Sequence, residues 1–241
     1  EDLTEAIHGA GNQPWFSYFH ILRPHEPYLA PAPFGTQFMD AEEAQTASED
    51  QELAIFYQMR IERRKPSQYA IDFMRDSYHG NLSYVDYLIG QLSEYLAKSG
   101  TLDNTIIIIA SDHGEEFGEH GRLGHGFFLY EEELHVPLLF YVPESLGGKS
   151  SRIDSLVEMV DIYPTLVDMY EFKVPYKPHG RSLLSALNGE QIDSSFVHFA
   201  QTFPGDKLSV QIGNEKMMCE VDLDTHELSN FEIYDKKKDN A

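Results

Sequence analysis

The run Thr105-Ile106-Ile107-Ile108-Ile109-Ala110 constrains this chain more than any other stretch. Four consecutive isoleucines without polar alternation suit a strand buried on both faces, as in a parallel sheet covered by helices. Upstream, Ile71, Met74, Tyr78, Leu82, Val85, Ile89, Leu92 and Leu96 recur at intervals of three and four. That spacing predicts one long helix over residues 67–98, stopped by Ser99-Gly100. A helix followed by such a strand is half of a βαβ repeat, so the expected fold class is α/β, a mostly parallel sheet flanked by helices.

The rest of the chain is read against that unit. Residues 14–22 are aromatic and β-branched enough for a strand, and they run into Arg23-Pro24-His25-Glu26-Pro27-Tyr28, where two prolines forbid further pairing. Residues 30–40 read as loop, and a polar helix is expected from about 41 to 64, before Pro66. Residues 136–142 form a second buried-type strand. Asp161-Ile162-Tyr163-Pro164 opens a short helix with an acidic cap and an early proline. After Gly189 the texture changes: 195–201, 208–213, 216–223 and 231–235 are short, separated by Gly, Asn and Asp, and predict a small antiparallel sheet. The expected division is 1–190 for the α/β part and 191–241 for a small β-rich subdomain.

Charge limits the partners. Forty acidic residues against 18 basic ones give a formal net charge of −22. Nucleic acid and anionic membrane surfaces both need a basic footprint, so neither is an expected partner. An anionic substrate would approach against the mean field and would need a local cation. The single cysteine, Cys219, excludes an internal disulfide, and no apolar run approaches the roughly 18 residues of a membrane span.

The chemistry concentrates in the stretch Ser111-Asp112-His113-Gly114-Glu115-Glu116-Phe117-Gly118-Glu119-His120-Gly121-Arg122-Leu123-Gly124-His125-Gly126. It begins at the carboxyl end of the isoleucine strand, where open α/β sheets bind ligands. Asp and His there offer a hard oxygen and an imidazole nitrogen, a mixed set suited to a divalent cation. A lone Asp-His pair is more often a helix cap beside a satisfied histidine; three histidines and several carboxylates, glycine-spaced after a buried strand, bring a metal or catalytic role level with that reading. The other histidines, His8, His20, His79, His135, His179, His198 and His226, read as structural.

These residues resemble a family. Leu-Asp-Asn-Thr-Ile-Ile-Ile-Ile-Ala-Ser-Asp-His-Gly over residues 102–114 is similar to the sulfatase segment in which a DNT turn enters a strand ending in SDHG. Phe117-Gly-Glu-His-Gly121, Leu129-Tyr130-Glu131 and His135-Val136-Pro137-Leu138 follow in the family's order. His25-Glu26-Pro27-Tyr28 resembles its HxPY loop, Asp161-Ile162-Tyr163-Pro164-Thr165-Leu166 its DIYPTL stretch, Gly180-Arg181-Ser182-Leu183 its GxSL stretch, and Ile233-Tyr234-Asp235 its closing LYDL. The resemblance is to the C-terminal portion of sulfatases, in the alkaline-phosphatase superfamily.

The resemblance implies roles. Asp112 and His113 are expected metal ligands, for Ca2+ in a sulfatase or for Mn2+ or Zn2+ in a phosphoryl-transfer relative. His25 matches the histidine that contacts the transferred group or assists the leaving oxygen. Many relatives carry a lysine on the sulfate oxygens in this region; here the cationic group is His125, favoured for the glycine on each side of it, with Arg122 as the alternative, and His120 has no assigned role. The family's nucleophile lies in a Cys-x-Pro-x-Arg motif, as formylglycine, and no such motif occurs in this sequence. It is expected upstream, along with any leader for a periplasmic or secreted destination. The implied reaction is hydrolysis of a small-molecule or glycan sulfate monoester, with this segment inactive by itself. The alternatives are a phosphodiesterase, phosphonate monoester hydrolase or phosphoglycerol/phosphoethanolamine transferase on the same scaffold, and a non-catalytic relative.

Overall fold

A computed structural model describes residues 3–236 except 12, 63, 194 and 204; the side chain of His8 lies outside the described residues. The chain divides into two compact units, 1–102 with 117–123 and 103–116 with 124–241. The two-residue strands β2 (Glu116–Phe117) and β3 (Leu123–Gly124) mark where the chain passes from one to the other and back. No helix among the described residues is long and apolar enough to cross a membrane.

The first unit is helical: α1 (Leu3–Ala10), α2 (Glu43–Thr46), α3 (Glu49–Arg60) and α4 (Gln68–Lys98). The long helix begins where the periodicity places it, because the Ser67 hydroxyl accepts the Ala70 N–H at 3.1 Å and so caps the first turn. Its buried residues are Ala70, Phe73, Met74, Ser77, Gly80, Asn81 and Leu96, so Met74 and Leu96 of the predicted face are buried while Leu82 is exposed. Small and polar residues are among them because the loop 30–40 lies close against the helix: a Cβ on Gly80 would meet the Phe34 carbonyl at 2.5 Å. The expected helix over 41–64 is two helices, since Ser48 leaves helical geometry and caps α3 by accepting from Gln51. The expected strand over 14–22 is absent: no ladder among the described residues includes it, and Phe16, Tyr18 and Phe19 stand exposed. Strand-forming composition needs a neighbouring strand to become a strand.

Tyr28, Phe56, Phe73, Met74 and Leu123 form the core of this unit. Tyr28 is fully buried, with edge-on ring contacts to Phe56 at 5.8 Å and Tyr78 at 5.6 Å. It roots the loop that carries His25. Within that loop Arg23 donates to the Leu29 carbonyl at 3.3 Å and to Oδ1 of Asn81, on α4, at 3.2 Å.

The second unit holds the isoleucine strand. β1 (Ile107–Ala110) pairs antiparallel with β4 (Leu138–Tyr141), Ile107 opposite Tyr141 and Ala110 opposite Leu138. This corrects the parallel expectation for these two strands. The chain leaves β1 at Ala110 and re-enters the ladder opposite it, through the short helix α5 (Glu131–Leu134), whereas a parallel partner needs a crossover back to the start of the strand. α6 (Ile162–Met169) and α7 (Leu184–Leu187) follow. Asp161 precedes α6 but does not cap it: its buried carboxylate accepts from the Glu158 N–H at 2.9 Å and the Arg181 N–H at 2.8 Å, tying two distant segments.

The small antiparallel sheet is as expected, in the order β5 (Val197–Gln201), β6 (Lys207–Ile212), β7 (Glu215–Val221) and β8 (Leu228–Asp235). Gly213, at φ +57°, makes the two-residue turn between β6 and β7. His198, Gln211 and Lys216 face each other in register on the buried side. Lys216 reaches Oε1 of Glu131, on α5, at 2.9 Å, and Lys236 bonds the other oxygen of the same carboxylate.

Glu52 sits wholly buried in the first unit, and its pKa is raised: burial dominates over the opposing pull of Ser77 and the Leu29 and Tyr28 amides. A raised folded-state pKa means the protonated form is favoured, so this group's contribution is present at low pH and is lost as pH rises through the raised value. Glu52→Gln is therefore expected to raise the urea midpoint at about pH 8, with the difference shrinking toward zero near about pH 4. Urea denaturation at both pH values checks this.

Candidate functional site

The second unit brings Asp112, His113 and His125 together, just beyond the end of β1. The loop that carries the first two is held by main chain. The N–H of Gly114 donates to the Glu133 carbonyl at 2.7 Å and that of Glu115 to the Glu132 carbonyl at 2.8 Å. Gly114 is required there, because a Cβ at this position would lie 1.9 Å from the Glu132 oxygen. The Ser111 hydroxyl donates to the His113 carbonyl at 2.7 Å, tightening the turn from inside.

The ring of His113 is oriented by its own neighbour. A carbonyl oxygen only accepts, so the 2.9 Å contact between Nδ1 and the Gly114 carbonyl makes Nδ1 the protonated nitrogen of the neutral ring. Nε2 is then the lone-pair nitrogen, and it lies 3.8 Å from Oδ1 of Asp112. Two donor atoms that share one cation at about 2.0–2.6 Å from each stand about 3–4 Å apart. The chemistry fits as well as the spacing. Metal-binding histidines hand their second N–H to a carbonyl or carboxylate, which fixes tautomer and ring plane.

His125 lies face to face with His113, ring centroids 3.9 Å apart and planes 26° from parallel. Its Nδ1 is 3.1 Å from Oε1 and 3.2 Å from Oε2 of Glu115, whose side chain is almost wholly buried. A carboxylate only accepts, so His125 donates from Nδ1 and presents its Nε2 edge away from Glu115. Gly124 and Gly126 flank it with φ of +99° and +84°, left-handed values that shape this arm and that a side chain would resist. The carboxylate of Glu133, itself buried, accepts from the N–H groups of Gly126 at 2.6 Å, Phe127 at 3.4 Å and Phe128 at 3.1 Å.

His25 belongs to the first unit. Its Nδ1 donates to the Glu26 carbonyl at 2.8 Å, and Oε2 of Glu26 lies 3.4 Å away, so the next residue helps to set the ring plane. His120 also falls in the first unit. Of the histidines read as structural, His198 is buried 3.3 Å from Glu158, and His79 packs edge-on against Phe38 at 5.5 Å.

Sequence reasoning did not pick out Glu115 and Glu133. Each sits in an acidic run, Glu115-Glu116 and Glu131-Glu132-Glu133, that reads as solvated surface. A signal was present for Glu133: it falls between Phe127-Phe128-Leu129 and Leu134, among residues that would be buried.

The family model for sulfatases matches residues 1–171, and that for the C-terminal part of N-sulphoglucosamine sulphohydrolase matches 118–241. The chain belongs to the sulfatase family, within the alkaline-phosphatase superfamily. It is 27% identical over 205 residues to an arylsulfatase of Clostridium perfringens, covering 81% of this chain and 42% of that protein. It is 40% identical over 119 residues to an N-acetylglucosamine-6-O-sulfatase of Bacteroides thetaiotaomicron, covering 49% of this chain and 21% of that one. The chain thus spans less than half the length of either relative. Its fold is that of the phosphonate monoester hydrolase of Agrobacterium radiobacter, with a TM-score of 0.75 over 98% of this chain and 53% of that one, at 24% identity. The alkaline-phosphatase-like α/β fold and its C-terminal antiparallel sheet are therefore as the sequence implies.

Gly114→Ala is expected to cost about 1–3 kcal/mol through the clash with the Glu132 carbonyl. The loss is to be read as a lowered urea midpoint with an unchanged m-value.

Proposed function

We propose that this chain carries the metal-binding half of the active site of a sulfuric ester hydrolase that cleaves sulfate monoesters. The observation that supports it most is the posture of His113: Nδ1 engaged with the Gly114 carbonyl, Nε2 turned to Oδ1 of Asp112 at 3.8 Å. Asp112 and His113 are the residues that would hold a divalent cation, calcium in this reading. A bound cation supplies positive charge for the ester's oxygens in a chain of net charge −22. His125, stacked on His113 and backed by Glu115, would meet the anionic oxygens of the sulfate. His25 would assist the leaving oxygen, its Nδ1 already engaged with Glu26.

The nucleophile, formylglycine in this reading, is none of residues 1–241. Cys219 is buried in β7 and is followed by Glu220-Val221 rather than by the residues of the nucleophile motif. Residues 1–190 are read as part of the α/β domain and 191–241 as its small subdomain, since β5 to β8 all fall after residue 190 in one sheet. A sulfated sugar is the favoured substrate class, on the strength of the N-acetylglucosamine-6-O-sulfatase likeness. The second reading, a phosphonate monoester hydrolase, draws on the fold likeness alone.

Calcium titration calorimetry tests the metal assignment. Asp112→Asn and His113→Ala are each expected to weaken binding at least about tenfold. Unchanged affinity in both would sink the assignment. For the reaction, residues 1–241 alone should release no nitrophenol from 4-nitrophenyl sulfate, while the chain joined to its nucleophile segment should. Release from a phenyl phosphonate ester instead would transfer the assignment to the second reading.

A further inference from the structure

Glu133 is one of several buried acidic residues among those described. It sits in a four-residue helix within the run Glu131-Glu132-Glu133, yet only 4% of its surface is exposed. Burying a carboxylate is costly unless several hydrogen bonds satisfy it. Glu133 has three, all from consecutive main-chain N–H groups: Gly126 on Oε2, Phe127 and Phe128 on Oε1. No side-chain cation is among them. Its own carbonyl accepts the Gly114 N–H, and the preceding carbonyl accepts the Glu115 N–H. One residue therefore holds both stretches of chain, alongside the Glu115–His125 hydrogen bond that also links them. Its main chain grips the loop of Asp112 and His113, and its side chain grips the arm of His125.

We infer that Glu133 is the positioning residue of this site, setting His125 against His113 by anchoring the 126–128 backbone through its buried carboxylate. The two imidazoles sit stacked 3.9 Å apart. Their separation is fixed by what holds each backbone. On the His113 side that is the 114–115 pairing with 132–133. On the His125 side, Glu115 fixes the ring and Glu133 fixes the main chain that follows it. Gly126, with its left-handed φ, has no backbone preference strong enough to hold the arm, so an acceptor is needed to select one conformation. An ionised carboxylate accepting from several amide N–H groups is well suited, because such bonds are charge-assisted. A glutamine at 133 keeps the length but loses the charge and one acceptor, turning an NH2 group toward an N–H.

The inference rests on the sulfate-ester reading only for what His125 is positioned to touch, so its test is read without turnover. Amide hydrogen exchange in the wild-type protein should show Gly126, Phe127 and Phe128 protected. In Glu133→Gln these amides should exchange about tenfold faster while the β6–β7 ladder is unchanged. The ring protons of His113 and His125 should shift together in the NMR spectrum as the stack loosens. Glu133→Asp, which keeps the charge on a shorter arm, should fall between the two. Unprotected amides at 126–128 in the wild type would overturn the inference even if the variants fail to fold. So would a folded Glu133→Gln with unmoved exchange rates and ring shifts. Absence of sulfate turnover in the nucleophile-bearing wild type, with these results as expected, would sink the sulfate reading and leave the positioning role standing.

Discussion

Two main-chain hydrogen bonds, from Gly114 to the Glu133 carbonyl and from Glu115 to the Glu132 carbonyl, carry the geometry of the candidate site. They bring the stretch after β1 back against the turn before β4. They also demand glycine at 114, since a Cβ there has no room. With that closure in place His113 can turn Nδ1 to the next carbonyl, and Nε2 comes round to Asp112. The same turn delivers Glu133 to the His125 arm and Glu131 to Lys216 and Lys236 of the C-terminal segment. A helix of four residues therefore joins the metal-type pair, the second imidazole and the small sheet.

How far the sequence reveals this depends on the range of each interaction. Ser67 and the three-four spacing announce α4 because capping and amphipathicity are decided within a few residues. The strands β5 to β8 are equally plain, each bounded by turn residues. The direction of β4 against β1 is not, because it depends on where the chain returns after the 27 residues between Ala110 and Leu138. Residues 14–22 have the composition of a strand but lack, among the described residues, a ladder to join. Asp112, His113 and His125, singled out in the sequence by type and by the sulfatase resemblance, do lie together in the structure. Glu115 and Glu133 were not singled out, since a buried carboxylate and a solvated one look alike until the amides that satisfy it are known.

The electrostatics point the same way. A chain with 40 acidic and 18 basic residues repels anions on average, so a site for a sulfate or phosphate ester must create its own positive region. Among the polar groups gathered beyond β1 are an aspartate, two imidazoles and the buried carboxylates of Glu115 and Glu133. Glu133 is spent on main-chain amides and Glu115 on the orientation of His125. Asp112 and His113 offer a carboxylate oxygen and an imidazole nitrogen 3.8 Å apart, with the His125 ring stacked beside them.

The central claim is that His113 is held as a metal ligand by its own backbone, and the tautomer of its ring tests this most directly. Long-range 1H–15N correlation spectra of the metal-free protein, at a pH where the imidazole is neutral, report which nitrogen carries the proton. The account predicts a His113 protonated at Nδ1, with Nε2 bearing the lone pair. A ring protonated at Nε2, or one averaging between the two forms, would contradict it.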